Sequence, residues 1–268
     1  MKISASVFSN PDRPLEDLVR ELEHCGLDYL HVDCNDNPNI GEAIARMRAV
    51  SDLPIDLHLI TDKPEQYYGT IAEQGVELVT LQWEDLNGRI PELPALGCEW
   101  GLALTTKTPV EAFGHLVEQC RFVLFMTTIP GQSGGKFHPD NFYRIREFKR
   151  QFPGTRIHVD GGVNPEISFA LRNMGVFCAV SGSFLVKAEE VSRAFLNLLV
   201  QKTPNHIHVR DFMLQYEELP TLQREEATVE GVLRAIDDYK MGYCMLVNRQ
   251  FELVGVVTNA DVRRGMLK

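Results

Sequence analysis

The feature that most constrains this chain is an alternation through its first three quarters, in which short β-type apolar runs are separated by stretches of helical periodicity. The runs are Ile3–Phe8, Tyr29–Cys34, Ile55–Ile60, Leu78–Trp83, Trp100–Leu104, Phe122–Met126, Arg156–Val159 and Cys178–Val180. Between the first two, Leu15, Leu18, Val19 and Leu22 recur at the spacing that places apolar side chains on one helix face, and Glu111–Cys120 and Pro165–Met174 read the same way. Eight strands with interposed helices predict parallel βαβ units. A closed barrel and an open doubly wound sheet both satisfy that order, and periodicity does not choose between them.

The pattern stops near Gln201-Lys202-Thr203-Pro204-Asn205, a polar, proline-bearing stretch that reads as a linker. Beyond it, Thr228–Tyr239 is an expected amphipathic helix, Tyr243–Val247 and Leu253–Val257 two strands around a polar turn, and Ala260–Met266 a closing helix. This predicts a large unit over 1–202 and a small α+β unit over 203–268. A length of 268 residues accommodates both. The net charge of −10 excludes nucleic acid and anionic membranes as partners, since no basic excess exists to hold phosphate backbones. A small anion remains possible, because backbone amides at a helix start bind phosphate without net positive charge. Six cysteines without a C-x-x-C pair read as the reduced thiols of a cytoplasmic protein. No segment approaches the roughly 20 apolar residues that span a bilayer.

In a strand, positions i and i+2 face the same side. His31 and Asp33 therefore project together near the carboxyl end of the second strand, a spacing suited to two ligands of one divalent cation. His58 lies near the end of the third strand and Asp160 ends the seventh. In a barrel these groups would converge on one axis, an N/O set suited to zinc, iron(II), manganese or cobalt. Read singly, each has an ordinary structural explanation, the imidazoles as hydrogen-bonded core groups and Asp160 as a turn carboxylate before glycines. Three glycine-bearing stretches, Pro130-Gly131-Gln132-Ser133-Gly134-Gly135-Lys136, Gly161-Gly162 and Ser181-Gly182-Ser183, follow the last three strands, where barrel enzymes commonly bind phosphate.

At these residues the chain resembles the ribulose-phosphate 3-epimerase family over about residues 1–190. His31-Val32-Asp33, Asp56-Leu57-His58-Leu59, the Pro130-Gly131 loop through Phe137 and Val159-Asp160-Gly161-Gly162-Val163-Asn164-Pro165 are similar to its motifs, in order. The resemblance implies a (β/α)₈ TIM barrel and a divalent metal on His31, Asp33, His58 and Asp160. It also implies Asp33 and Asp160 as catalytic acid and base, and a phosphosugar contacted by Ser6, Gly134, Gly161, Gly162, Gly182 and Ser183. The expected activity is epimerisation of ribulose 5-phosphate or a related pentulose or hexulose phosphate through an enediolate, by a homo-oligomer.

Several positions depart from the family pattern. The loop after Asp33 runs Cys34-Asn35-Asp36-Asn37-Pro38-Asn39-Ile40 and is shorter; Asn35 and Ile60 replace methionines that cap the metal site, while Met126 keeps one. Ile129 replaces an asparagine, and Gln82 stands where a histidine is common. These leave the sugar open and admit an alternative, a non-catalytic phosphosugar-binding sensor. A lyase or decarboxylase is disfavoured, because no lysine lies near His31, Asp33 or His58. The tail resembles a single CBS motif, in which Thr258 and Asp261 would hold an adenine nucleotide; Asp261 reads equally as a carboxylate at a helix start.

Overall fold

The eight apolar runs form parallel strands that hydrogen-bond in chain order and close on themselves: β1 (Lys2–Ser6), β2 (Tyr29–Asn35), β3 (Ile55–Ile60), β4 (Leu78–Gln82), β5 (Glu99–Thr105), β6 (Phe122–Met126), β7 (Arg156–Asp160) and β8 (Cys178–Ser181), with β8 pairing back onto β1. Closure decides between the two expected architectures in favour of the (β/α)₈ barrel. The computed structural model describes residues 1–132, 134–200 and 209–267, with the backbone alone at 211 and 212. The expected linker at 201–205, the expected boundary after 202 and Ser133 of the glycine loop lie outside the described residues. Chain contacts divide into two compact units, Met1–Phe212 and Met213–Lys268.

The first unit carries α1 (Leu15–His24), α2 (Ile40–Arg48), α3 (Tyr68–Gln74), α4 (Asp140–Gln151), α5 (Pro165–Asn173), α6 (Ser183–Val186), α7 (Val191–Leu199) and α8 (Val209–Phe212). α1 buries Leu18, Val19 and Leu22, the stripe its periodicity marks. α5 starts where Asn164 accepts hydrogen bonds from the backbone N–H groups of Glu166 and Ile167, with Pro165 in the first turn, where its missing N–H costs nothing. Two connections differ from expectation. Glu111–Cys120 does not form an α-helix: a 3₁₀ helix over Val110–His115 contains the weak helix former Gly114 and ends at Leu116. β4 and β5 are joined by a 3₁₀ turn (Trp83–Leu86) and irregular chain.

Alternate strand residues fill the barrel in layers. Tyr29, Leu78, Phe122 and Cys178, all from even-numbered strands, pack together low in the interior. Their register partners on the odd strands are Ser4, Asp56, Gly101 and His158. Gly101 is required by space: a Cβ there would lie 2.2 Å from the Phe122 ring. We expect Gly101→Ala to lower stability by about 1–3 kcal/mol, read as a reduced denaturation midpoint; an unchanged midpoint would show that Phe122 does not occupy this gap.

His158 is fully buried, with its ring stacked on Phe122 (centroids 4.2 Å apart) and Phe177 (5.5 Å). Among the described residues neither ring nitrogen has a hydrogen-bond partner. Burial pushes its pKa down from 6.5 to about 4; Arg156, His31 and Lys2 push the same way, against Asp56. Between those values the unfolded chain binds a proton that the folded one refuses, so stability falls as pH falls. At about 1.4 kcal/mol per pKa unit the loss is on the order of 3 kcal/mol. Denaturation of wild type and His158→Gln between pH 6.5 and about 4 tests this: the variant should lose less stability, and parallel curves would refute it.

The second unit holds a three-stranded sheet, ordered β11 (Leu253–Thr258), β10 (Tyr243–Val247), β9 (Thr221–Gln223), with α9 (Val229–Tyr239) and α10 (Asn259–Met266). Val232, Ala235, Ile236 and Cys244 form its core. The helices and the β10–β11 hairpin match the expected elements, whereas β9, three residues long, carries too little pattern to be read beforehand. All six cysteines are free. Among the described residues no helix is long and apolar enough to cross a membrane.

Candidate active site

β2 and β3 pair so that His31 lies opposite Asp56, and Asp33 opposite His58. Asp160, at the end of β7, completes the group. One ligand atom from each of His31, Asp33, His58 and Asp160 lies within 4.8 Å of the others. Both imidazoles are fully buried, while the Asp33 and Asp160 side chains keep 17% and 15% of their surface accessible, so only the carboxylates can meet a small molecule from the barrel mouth.

Hydrogen bonds outside the cluster set the direction of the imidazoles. The buried Asp56 carboxylate accepts from Ser4 Oγ at 3.0 Å and from His31 Nδ1 at 2.9 Å, which leaves the His31 Nε2 lone pair facing Asp33 Oδ1 (3.3 Å) and Asp160 Oδ2 (3.7 Å). His58 Nε2 lies 2.9 Å from Gln82 Oε1, an acceptor, so His58 Nδ1 turns its lone pair to Asp33 Oδ1 at 3.2 Å. Acceptor facing acceptor at hydrogen-bond distance requires something positive between them. Two imidazoles and two carboxylates suit a divalent cation of the zinc–iron–manganese group. Without such a cation a proton takes that place: burial disfavours the charge on His31, but Asp56 and Asp33 outweigh burial and raise its pKa well above the usual value.

The pKa values of the two carboxyls are pushed in opposite directions. Burial pushes Asp33 up, but His31 and His58 outweigh it and hold Asp33 below the ordinary range. Asp160 is pushed up to about 6, by burial first and by the Asp33 charge, against His31 and His58. Asp33 is thus ionised near neutrality, and Asp160 can carry a proton there. Thr127 anchors the end of β7, its Oγ1 donating to the carbonyls of Asp160 (2.9 Å) and Gly161 (2.6 Å).

The carboxylates form the floor of a cavity of about 310 Å³, and Ser6, Gly134, Gly161, Gly162, Gly182 and Ser183 all line it. Gly162 has φ +63° and a Cβ there would lie 2.3 Å from the Phe137 backbone nitrogen, so only glycine brings this backbone to the cavity wall. Thr258 and Asp261 belong to the second unit and bond to each other. Thr258 N and Oγ1 donate to Asp261 Oδ2 (2.9 and 2.6 Å), and Asp261 N donates back at 3.3 Å, a capping box that opens α10. That is the structural role open to Asp261 from the start. Asp56, Gln82 and Thr127 received no role from the sequence. Asp56 was within reach, two residues before His58 and so on the same strand face.

A closed (β/α)₈ barrel with paired carboxylates and imidazoles at the carboxyl ends of its strands defines the class, a barrel enzyme with its site where such enzymes carry it. The model of the Ribulose-phosphate 3 epimerase family matches residues 2–186, and the chain belongs to that family. The ribulose-phosphate 3-epimerase of Bacillus subtilis (strain 168) is 32% identical over 197 residues, 68% of this chain and 91% of that protein. The chloroplastic ribulose-5-phosphate-3-epimerase of Arabidopsis thaliana is 28% identical over 222 residues, 77% and 79% of the two chains. Among solved structures, a 3-hexulose-6-phosphate synthase superposes with a TM-score of 0.56 at 15% identity, over 74% of this chain and 98% of that one, a likeness of fold alone. The protein is therefore an isomerase, a sugar-phosphate epimerase. The reading as a non-catalytic sensor finds no support in these relatives.

Proposed function

We propose that this enzyme inverts the carbon beside the ketone of a ketose phosphate, ribulose 5-phosphate or a related pentulose or hexulose phosphate, using Asp33 and Asp160 as the proton-transferring pair. The observation that carries this is the meeting of two carboxyls and two imidazoles, with both carboxyls at the floor of one glycine-walled cavity. A proton beside a ketone is weakly acidic and leaves quickly only when the enediolate is stabilised. His31, Asp33, His58 and Asp160 would hold a divalent cation, which would supply that stabilisation by polarising the carbonyl. Asp33, ionised, removes the proton from one face; Asp160, protonated, returns one to the other, and the reverse reaction exchanges their roles. The backbone at Gly134, Gly161, Gly162, Gly182 and Ser183, with Ser6, holds the phosphate end so that the reacting carbon stays between the two carboxyls.

Zinc, iron(II), manganese and cobalt all suit the donor set, and metal analysis of the purified protein identifies which is resident. The exchange of the substrate's α-proton in heavy water tests the reaction: metal-dependent deuterium incorporation is expected, and none with any pentulose or hexulose phosphate would sink it. The free thiols fit a cytoplasmic enzyme. The second unit enters as a regulatory module, on the strength of its strand–helix–strand–strand–helix order.

A further inference from the structure

At the end of β4, Gln82 is almost fully buried and sits between the active site and Glu84. Its amide nitrogen donates to Glu84 Oε2, and its amide oxygen faces His58 Nε2. Glu84 Oε1 is held by donors at the end of β5 and just beyond: Thr105 N at 3.0 Å, Thr105 Oγ1 at 2.8 Å and Thr108 Oγ1. A carboxylate accepts and does not donate, so the side of the Gln82 amide that meets Glu84 must be its NH₂. The oxygen is thereby turned to His58, whose Nε2 must bear the proton, and the Nδ1 lone pair is left pointing at Asp33. Burial raises the pKa of Glu84, but its bonds from Thr108, Thr105 and Gln82 outweigh burial and keep it ionised.

We propose that Glu84 is a positioning residue: through the Gln82 amide it selects the His58 tautomer that presents Nδ1 to the cation site. This rests on the reading of His58 as a ligand. Neither Gln82 nor Glu84 touches the cavity, and the chain of bonds runs outward from the site to the β5 end. If the amide turned over, its NH₂ would face His58 Nε2, the ring proton would move to Nδ1, and that proton would occupy the place of the cation.

Glu84→Gln tests the direction of the chain. A carboxamide at 84 has one acceptor, and the Thr105 backbone N–H, which cannot rotate away, claims it; the NH₂ then faces Gln82 and turns that amide over. In the metal-free protein with ¹⁵N-labelled histidine, long-range proton–nitrogen correlation should find His58 Nε2 protonated in wild type, and Nε2 bare with the proton on Nδ1 in the variant. Titration with cobalt(II) alone should give an affinity weaker by roughly 10–100-fold, the usual effect of losing a partner behind a metal ligand. In a Gln82→Leu background the same change should add nothing to either reading. A folded Glu84→Gln protein with His58 still on Nε2 overturns the proposal. If that variant does not fold, Glu84→Ala serves, and a His58 proton still confined to Nε2 overturns it equally. The tautomer is read without metal, so a wild type that binds no cobalt but shows the expected switch defeats the ligand assignment alone and leaves the relay standing.

Discussion

Replacing Asp160 with asparagine is expected to slow epimerisation by roughly 10²–10⁴-fold, the range that a positioned proton donor or acceptor contributes. Asparagine keeps the shape and one oxygen of the side chain and removes the proton. The wild-type carboxyl is pushed up to about 6 by burial and by Asp33, so near neutrality it exchanges a proton readily. Asp33 lies below the ordinary carboxyl range and stays ionised throughout. Deuterium incorporation, bound metal and phosphosugar affinity should be measured together on the variant. Lost turnover with metal and sugar still bound is the expected result. Turnover at the wild-type rate would remove Asp160 from the chemistry and with it the two-carboxylate reading.

Stripping the protein with a chelator is expected to abolish turnover and to lower stability, both being restored by a divalent cation. The physical reason is the arrangement of acceptors: the His31 Nε2 and His58 Nδ1 lone pairs face Asp33 Oδ1 at 3.3 and 3.2 Å. A cation between them relieves that opposition and binds the folded state alone, because the unfolded chain does not assemble the four groups. At a metal concentration about a hundred times its dissociation constant the stabilisation is about 2.7 kcal/mol, visible as a shift in the thermal midpoint. Full activity in protein shown by elemental analysis to be metal-free would end the metal reading.

Much of the site could be read from strand geometry. His31 and Asp33, two apart on a strand, had to share a face, and Asp56 and His58 obey the same rule. The glycine stretches after β6 and β7 were legible because backbone at positive φ, as at Gly131, Gly161 and Gly162, is a local property. So was the start of α5 at Asn164-Pro165, since a cap is made within four residues of itself. The segment at 111–120 was misread: its helical spacing of apolar residues is real, but it contains the weak helix former Gly114 and makes only 3₁₀ turns.

What the amino-acid order determined alone was therefore the set of faces, meaning which side chains leave a strand or helix together and where the chain turns, because these follow from backbone periods of a few residues. The tertiary structure decided closure of β8 onto β1, which brings Asp160 to a pair of strands more than a hundred positions earlier. It also decided the lone pairs of His31 and His58, set by Asp56 and Gln82 across neighbouring strands, and the opposite pKa shifts of Asp33 and Asp160. Those properties arise from through-space electrostatics and hydrogen bonding between distant segments, and they come into being only when the barrel closes.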